Sequence, residues 1–123
     1  MSDRKEALTD LLVMVDAGVG IHPEKRCYTE EFCGLFDRCF DESMFDLFSA
    51  GYEGSLDAAK ALHKEVLPGW SWEVRASGFN WSQATLWNPM TQPRLGYDFR
   101  AEAESPARAW LIAILKALIA QED

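Results

Sequence analysis

A chain of 123 residues with 48% hydrophobic and 12% aromatic side chains can fill one modest core, which excludes a disordered tail. Its net charge is −8, and the acidity is uneven: residues 1–69 hold 14 acidic against 7 basic side chains, whereas residues 70–110 hold 4 of each. Such a surface repels phosphate backbones and anionic lipid, so neither nucleic acid nor membrane is expected as a partner.

In chain order, Leu8, Leu11, Leu12 and Val15 mark an amphipathic helix over Asp3 to Ala17. Gly18 and Gly20 end it, and Ile21-His22-Pro23 begins a loop. The start, MSDRKEALTD, is charged and lacks an apolar run with a small-residue cleavage site, so no secretory signal is read there. Thr29 is an N-cap with Glu30 and Glu31 in the first turn, followed by a stripe of Phe32, Leu35, Phe36, Cys39 and Phe40. Asp41-Glu42-Ser43 either interrupts this helix or caps another short one carrying Met44, Phe45, Leu47 and Phe48.

Ser55 to Trp72, SLDAAKALHKEVLPGWSW, is the most explicit passage. Ser55 caps a helix whose apolar arc is Leu56, Ala59, Leu62, His63, Val66 and Leu67. Pro68 lacks an N–H and stops it by Leu67, and Gly69 frees the turn. Trp70, Trp72 and Val74 then alternate with Ser71, Glu73 and Arg75, which predicts a half-buried strand up to Ser77. Ser77-Gly78-Phe79-Asn80 reads as a hairpin turn into a second strand, Trp81 to Trp87, closed by Asn88-Pro89. A third strand runs from about Leu95 to Ala103, with Leu95, Tyr97, Phe99, Ala101 and Ala103 on one face and Asp98, Arg100 and Glu102 on the other. Ser105-Pro106 opens a last helix that is apolar nearly all round to Ala120, so it needs burial on more than one side. The segment Ala109 to Ala120 is too short for a bilayer span and contains Lys116. The expectation is a single α+β domain over 1–123. It comprises a helical part, 1–54, and an αβββα unit, 55–121, with a three-stranded antiparallel meander.

The helix start S-L-D-A-A, then L-P-G-W-x-W, then AEAESPARAWLIAILKAL together resemble the phage α-β-α (ABA) sandwich family of small tailed-phage and prophage proteins. The likeness covers Gly54 to Gln121, with a weaker echo at Leu8 to Val15. It implies three layers with helices on both sides of the sheet, a bacteriophage or prophage origin and the cytoplasm of a bacterial host. It implies no chemistry. The segment Ile21 to Gly51 departs from the family pattern.

No catalytic, cofactor or metal site is read from the sequence. Cys27, Cys33 and Cys39 are spaced C-x5-C-x5-C, which sends side chains on a helix to different faces instead of biting one ion. They read as reduced cysteines. His63, inside an apolar arc and far in sequence from His22, reads as a neutral core histidine. Glycine-rich phosphate loops, G-x-S-x-G and H-E-x-x-H are absent from the sequence, so an enzyme is not expected. Trp70 and Trp72 share one strand face, and Trp81 and Trp87 share one on the next. With one sheet face packed on the helix of Trp110, most of these rings belong to the core. Trp81, Trp87 and Trp110 are the interface candidates if the N-terminal helices leave the other sheet face uncovered.

The expected function is therefore a non-enzymatic accessory or structural protein acting through protein contacts, including self-association. Two alternatives share features with it. The αβββα order is also that of double-stranded-RNA-binding domains, but these need basic residues where this chain has Glu102, Glu104, Ser105 and Pro106, with Arg108 the sole cation. An acidic DNA mimic needs denser, more ordered carboxylates than these.

Overall fold

Three helices begin on a hydroxyl that takes up a free N–H of the first turn. Thr29 accepts from the Phe32 N–H at 3.2 Å, and Ser55 and Ser105 accept from Ala58 and Arg108 at 3.1 Å each. The computed structural model describes residues 3–21, 27–76, 81–90 and 98–122. Within them run α1 (Asp3–Ala17), α2 (Glu30–Cys39), α3 (Phe45–Tyr52), α4 (Leu56–Val66), β1 (Ser71–Ala76), β2 (Ser82–Trp87), β3 (Phe99–Ala103) and α5 (Pro106–Gln121). The undecided stretch Asp41-Glu42-Ser43 resolves as a separate start. The Asp41 carboxylate accepts from the Ser43 N–H, and a 3-10 turn over Glu42–Met44 runs into α3. The predicted hairpin turn 77–80, and the part of the third strand before Asp98, lie outside the described residues.

The strands form an antiparallel meander in the order β1-β2-β3. In register, Val74 lies opposite Ala84, which lies opposite Ala101, and Trp72 lies opposite Leu86, which lies opposite Phe99. With Ser82 and Ala103, these residues form one face. Ser82, Ala84, Leu86 and Ala101 on it are buried. The alternate face carries Glu73, Arg75, Gln83, Thr85, Trp87, Arg100 and Glu102, all polar except the tryptophan.

Helix α5 fills the middle of the molecule. Every residue from Ala109 to Leu115, and Ala107, Ala117 and Leu118, is buried, whereas Lys116 is exposed and donates to the Arg100 carbonyl at 2.9 Å. It touches all three strands on one side and α1, α3 and α4 on the other. The sequence-based expectation of helices on both sides of the sheet is not what the described residues display. Their helices gather on the α5 side, because a helix apolar nearly all round takes up their apolar stripes as well as the sheet's.

The phenylalanines of the atypical segment also have a structural role. Phe32, Phe36 and Phe48 are fully buried, and Phe36 meets Phe45 edge-on at 5.1 Å and stacks on Phe40 at 5.2 Å. Tyr52 Oη donates to the Val19 carbonyl at 2.6 Å, and the Thr29 N–H donates to the Gly20 carbonyl at 2.8 Å, so the chain leaving α1 is tied to this cluster. One expectation fails locally: Leu56, placed on the apolar arc of α4, is 45% exposed, while Ala58 and Ala59 of the same turn are buried.

Gly20 has φ +102°, and a Cβ there would lie 2.6 Å from Cδ2 of the buried Phe32 ring. Gly20→Ala is therefore expected to cost about 2 kcal/mol or more, through left-handed strain and overpacking together. Gly34 sits inside α2, with nothing within 4 Å of an added Cβ. Gly34→Ala should stabilise by about 0.5–1 kcal/mol through helix propensity. Urea denaturation of the two variants checks both signs, and equal effects would refute the contrast.

Candidate functional site

Of the chemically capable side chains, His63 is the most tightly held. It lies on α4 and is 1% exposed. The Trp110 indole N–H, which can only donate, reaches His63 Nδ1 at 3.2 Å. Nδ1 is therefore the acceptor and the proton sits on Nε2, which donates to the Trp70 carbonyl at 3.1 Å. The Trp72 ring meets the imidazole edge-on at 5.2 Å and stacks on Trp110 at 5.5 Å, with Lys60 Nζ 5.6 Å above Trp72. Both imidazole nitrogens are thus committed to structure. Burial pushes the pKa below the usual histidine value, partly offset by the bond to the Trp70 carbonyl. This geometry suits a neutral rivet between α4, α5 and the start of β1, not a proton carrier.

The cysteines are free thiols: Cys27 exposed, Cys33 half-buried and Cys39 buried. Burial pushes the Cys39 thiol up to about 11. The Cys33 thiol is also raised, by burial and by the negative charge of Asp37. A nucleophilic cysteine needs the opposite environment. An open cleft of about 550 Å³ beside Cys33 is lined by Asp37, Glu42, Phe45 and Asp46. Among the described residues, no three of His, Cys, Asp and Glu come together as a metal would require.

The three aromatic interface candidates separate. Trp110 is 3% exposed and belongs to the His63 cluster on the buried side of the sheet, which takes it out of the accessible surface. Trp87 lies on the polar outer face, where alternation through Gln83 and Thr85 also places Trp81, one residue before β2. Trp81 is 39% exposed and Trp87 is half-buried.

What the sequence reading missed is the arrangement of charge around these rings. Register places Glu73, Thr85 and Arg100 in one row across the sheet, and Arg75, Gln83 and Glu102 in the next. Glu73 and Arg75 form an ion pair along β1. A hollow of about 190 Å³ is lined by Glu73, Arg75, Thr85, Trp87, Asp98 and Arg100. The signal was present as alternation in each strand, but the pairing register that builds the pattern was not. The face mixes both signs, with Glu73, Asp98 and Glu102 beside Arg75 and Arg100. Among the described residues its cations are Arg75 and Arg100, while the described lysines, Lys5, Lys60, Lys64 and Lys116, all lie on helices. Tryptophan and arginine with little lysine is the composition of protein contact surfaces.

Two outcomes test the reading of the titratable groups. For His63, the unfolded chain takes up a proton near pH 6.5, whereas the folded chain does so only at lower pH. The stability that this group contributes is therefore complete above about pH 6.5 and is lost as pH falls through the folded pKa. NMR titration should show His63 in the Nε2–H form with a midpoint below 6.5, and a midpoint at or above that value would contradict the assignment. For the thiols, maleimide labelling of the native protein should proceed in the order Cys27, Cys33, Cys39, with Cys39 slowest by at least about tenfold. Equal rates would contradict the burial of Cys39. In comparison with known proteins, the chain matches no family model, no curated protein and no solved structure.

Proposed function

We propose that this chain is a phage or prophage accessory or structural protein that works through protein–protein contacts without catalysing a reaction, in the cytoplasm of a bacterial host. The observation that carries the contact reading is the outer sheet face. It presents Trp81, Trp87, Arg75 and Arg100 among alternating acidic residues, and the described helices pack on the opposite side. The phage assignment rests on the resemblance of S-L-D-A-A, L-P-G-W-x-W and the S-P-A-opened final helix to the α-β-α sandwich family.

The nucleic-acid alternatives gain nothing from the geometry. Arg108, the one cation at the start of α5, donates through Nη2 to the Asp16 carbonyl at 2.9 Å and is tied to the end of α1. The outer face itself offers Glu73, Asp98 and Glu102 against two arginines, which gives a phosphate backbone no net attraction.

A photo-cross-linking residue in place of Thr85, at the centre of the face, tests the proposal in cells that naturally carry the gene. A discrete higher-mass product is expected from position 85 and none from the same residue at Lys64, exposed on α4. No product at position 85, or equal products at both, would refute the outer face as the contact surface.

A further inference from the structure

We infer that the outer face of the sheet is self-complementary and binds a second copy of this chain, sheet face to sheet face, about a two-fold axis running across the strands. The inference rests on the reading of that face as a contact surface and goes further by naming its occupant.

Successive rows across the sheet read Glu73–Thr85–Arg100 and Arg75–Gln83–Glu102. The corners of this rectangle alternate in sign, with negative charge at Glu73 and Glu102 and positive charge at Arg75 and Arg100. A two-fold axis in the plane of the face and perpendicular to the strands lays each strand over its own copy with the rows exchanged. Glu73 then meets the second copy's Arg75, Arg100 meets its Glu102, and each reciprocal contact repeats the match. Thr85 meets Gln83, a hydroxyl against an amide, which is a hydrogen-bonding pair. The half-exposed Trp81 is carried toward the hollow that Trp87 lines with Glu73, Arg75, Thr85, Asp98 and Arg100.

Each of the four corner charges therefore gains an opposite partner, the condition for burying charge at an interface, while Asp98 lies one row outside this rectangle. The α2–α3 cleft is lined by three carboxylates and no cation, so a second copy of it would repel the first.

The size of the face sets the strength. Three strands about 4.8 Å apart, each rising about 3.3 Å per residue, give a footprint well below the roughly 800 Å² per partner of a standard stable complex. The dimer is accordingly a concentration-dependent one, and salt weakens it.

Sedimentation equilibrium of the full chain over a wide concentration range at low salt tests the inference. The average mass of the wild type should rise from 13.9 kDa toward twice that value. Arg75→Glu sets carboxylate against carboxylate where the two β1 strands overlie and should weaken association at least about tenfold. Combining Glu73→Arg with Arg75→Glu exchanges the charges within β1, which restores every match across this axis and should return association to within about threefold of wild type. An axis along the strands would instead pair β1 with β3 and make the double exchange repulsive, so failure of the rescue overturns the stated geometry. Circular dichroism checks that each variant is folded, and the exchange of Arg100 and Glu102 on β3 repeats the test on the other edge. A wild type that stays at 13.9 kDa throughout overturns self-association. In that case a cross-link from position 85 to a different protein would leave the contact-surface reading standing.

Discussion

The molecule is arranged around the need to cover α5. A helix with apolar side chains around nearly its whole circumference loses free energy on every side that meets water, at about 25 cal/mol for each Å² of apolar surface. No single neighbour can satisfy it. The three-stranded sheet takes one side, through Ala84, Leu86 and Ala101, while α1, α3 and α4 take the rest. The buried Leu8, Leu11 and Val15 of α1 and Leu62 of α4 belong to the same continuous core. Placing this helix in the centre draws the other described helices to one side of the sheet.

The join between helical part and sheet is made by a small polar cluster inside that core. His63 comes from α4, Trp110 from α5, and the Trp70 carbonyl from the turn into β1. An indole N–H buried without an acceptor would cost about 1–3 kcal/mol, and so would an imidazole N–H without one. The imidazole answers both needs in one tautomer, which fixes how α4 and α5 meet the first strand. L-P-G-W-x-W thus stops the helix, turns the chain and places the carbonyl that orients the histidine.

Covering α5 from one side leaves the sheet's other face with different chemistry. Its residues alternate with the core set, so selection for core packing on one side leaves the other free to carry charge. That face concentrates two arginines and two tryptophans within an array of mixed sign, while the described lysines lie on helices. The segregation separates a repulsive acidic body from a surface able to approach another protein.

Local chemistry made much of this fold legible in the sequence. The caps at Thr29, Ser55 and Ser105, the stop at Pro68, the period of the helices and the alternation of the strands each depend on near neighbours only. So did the neutral core character of His63 and the buried position of Cys39, because a helical stripe reveals which side is inward. The exposure of Leu56 and the split of Asp41–Ser43 into a separate start depended on what packs beside those residues. Only the tertiary structure decided that Trp110 is enclosed while Trp81 and Trp87 stand on the outer face, because accessibility depends on which layers stack. It likewise decided that Glu73, Arg75, Arg100 and Glu102 form one alternating rectangle. Strand register aligns residues 27 positions apart, such as Glu73 with Arg100 through Thr85, by hydrogen bonds that no local pattern specifies.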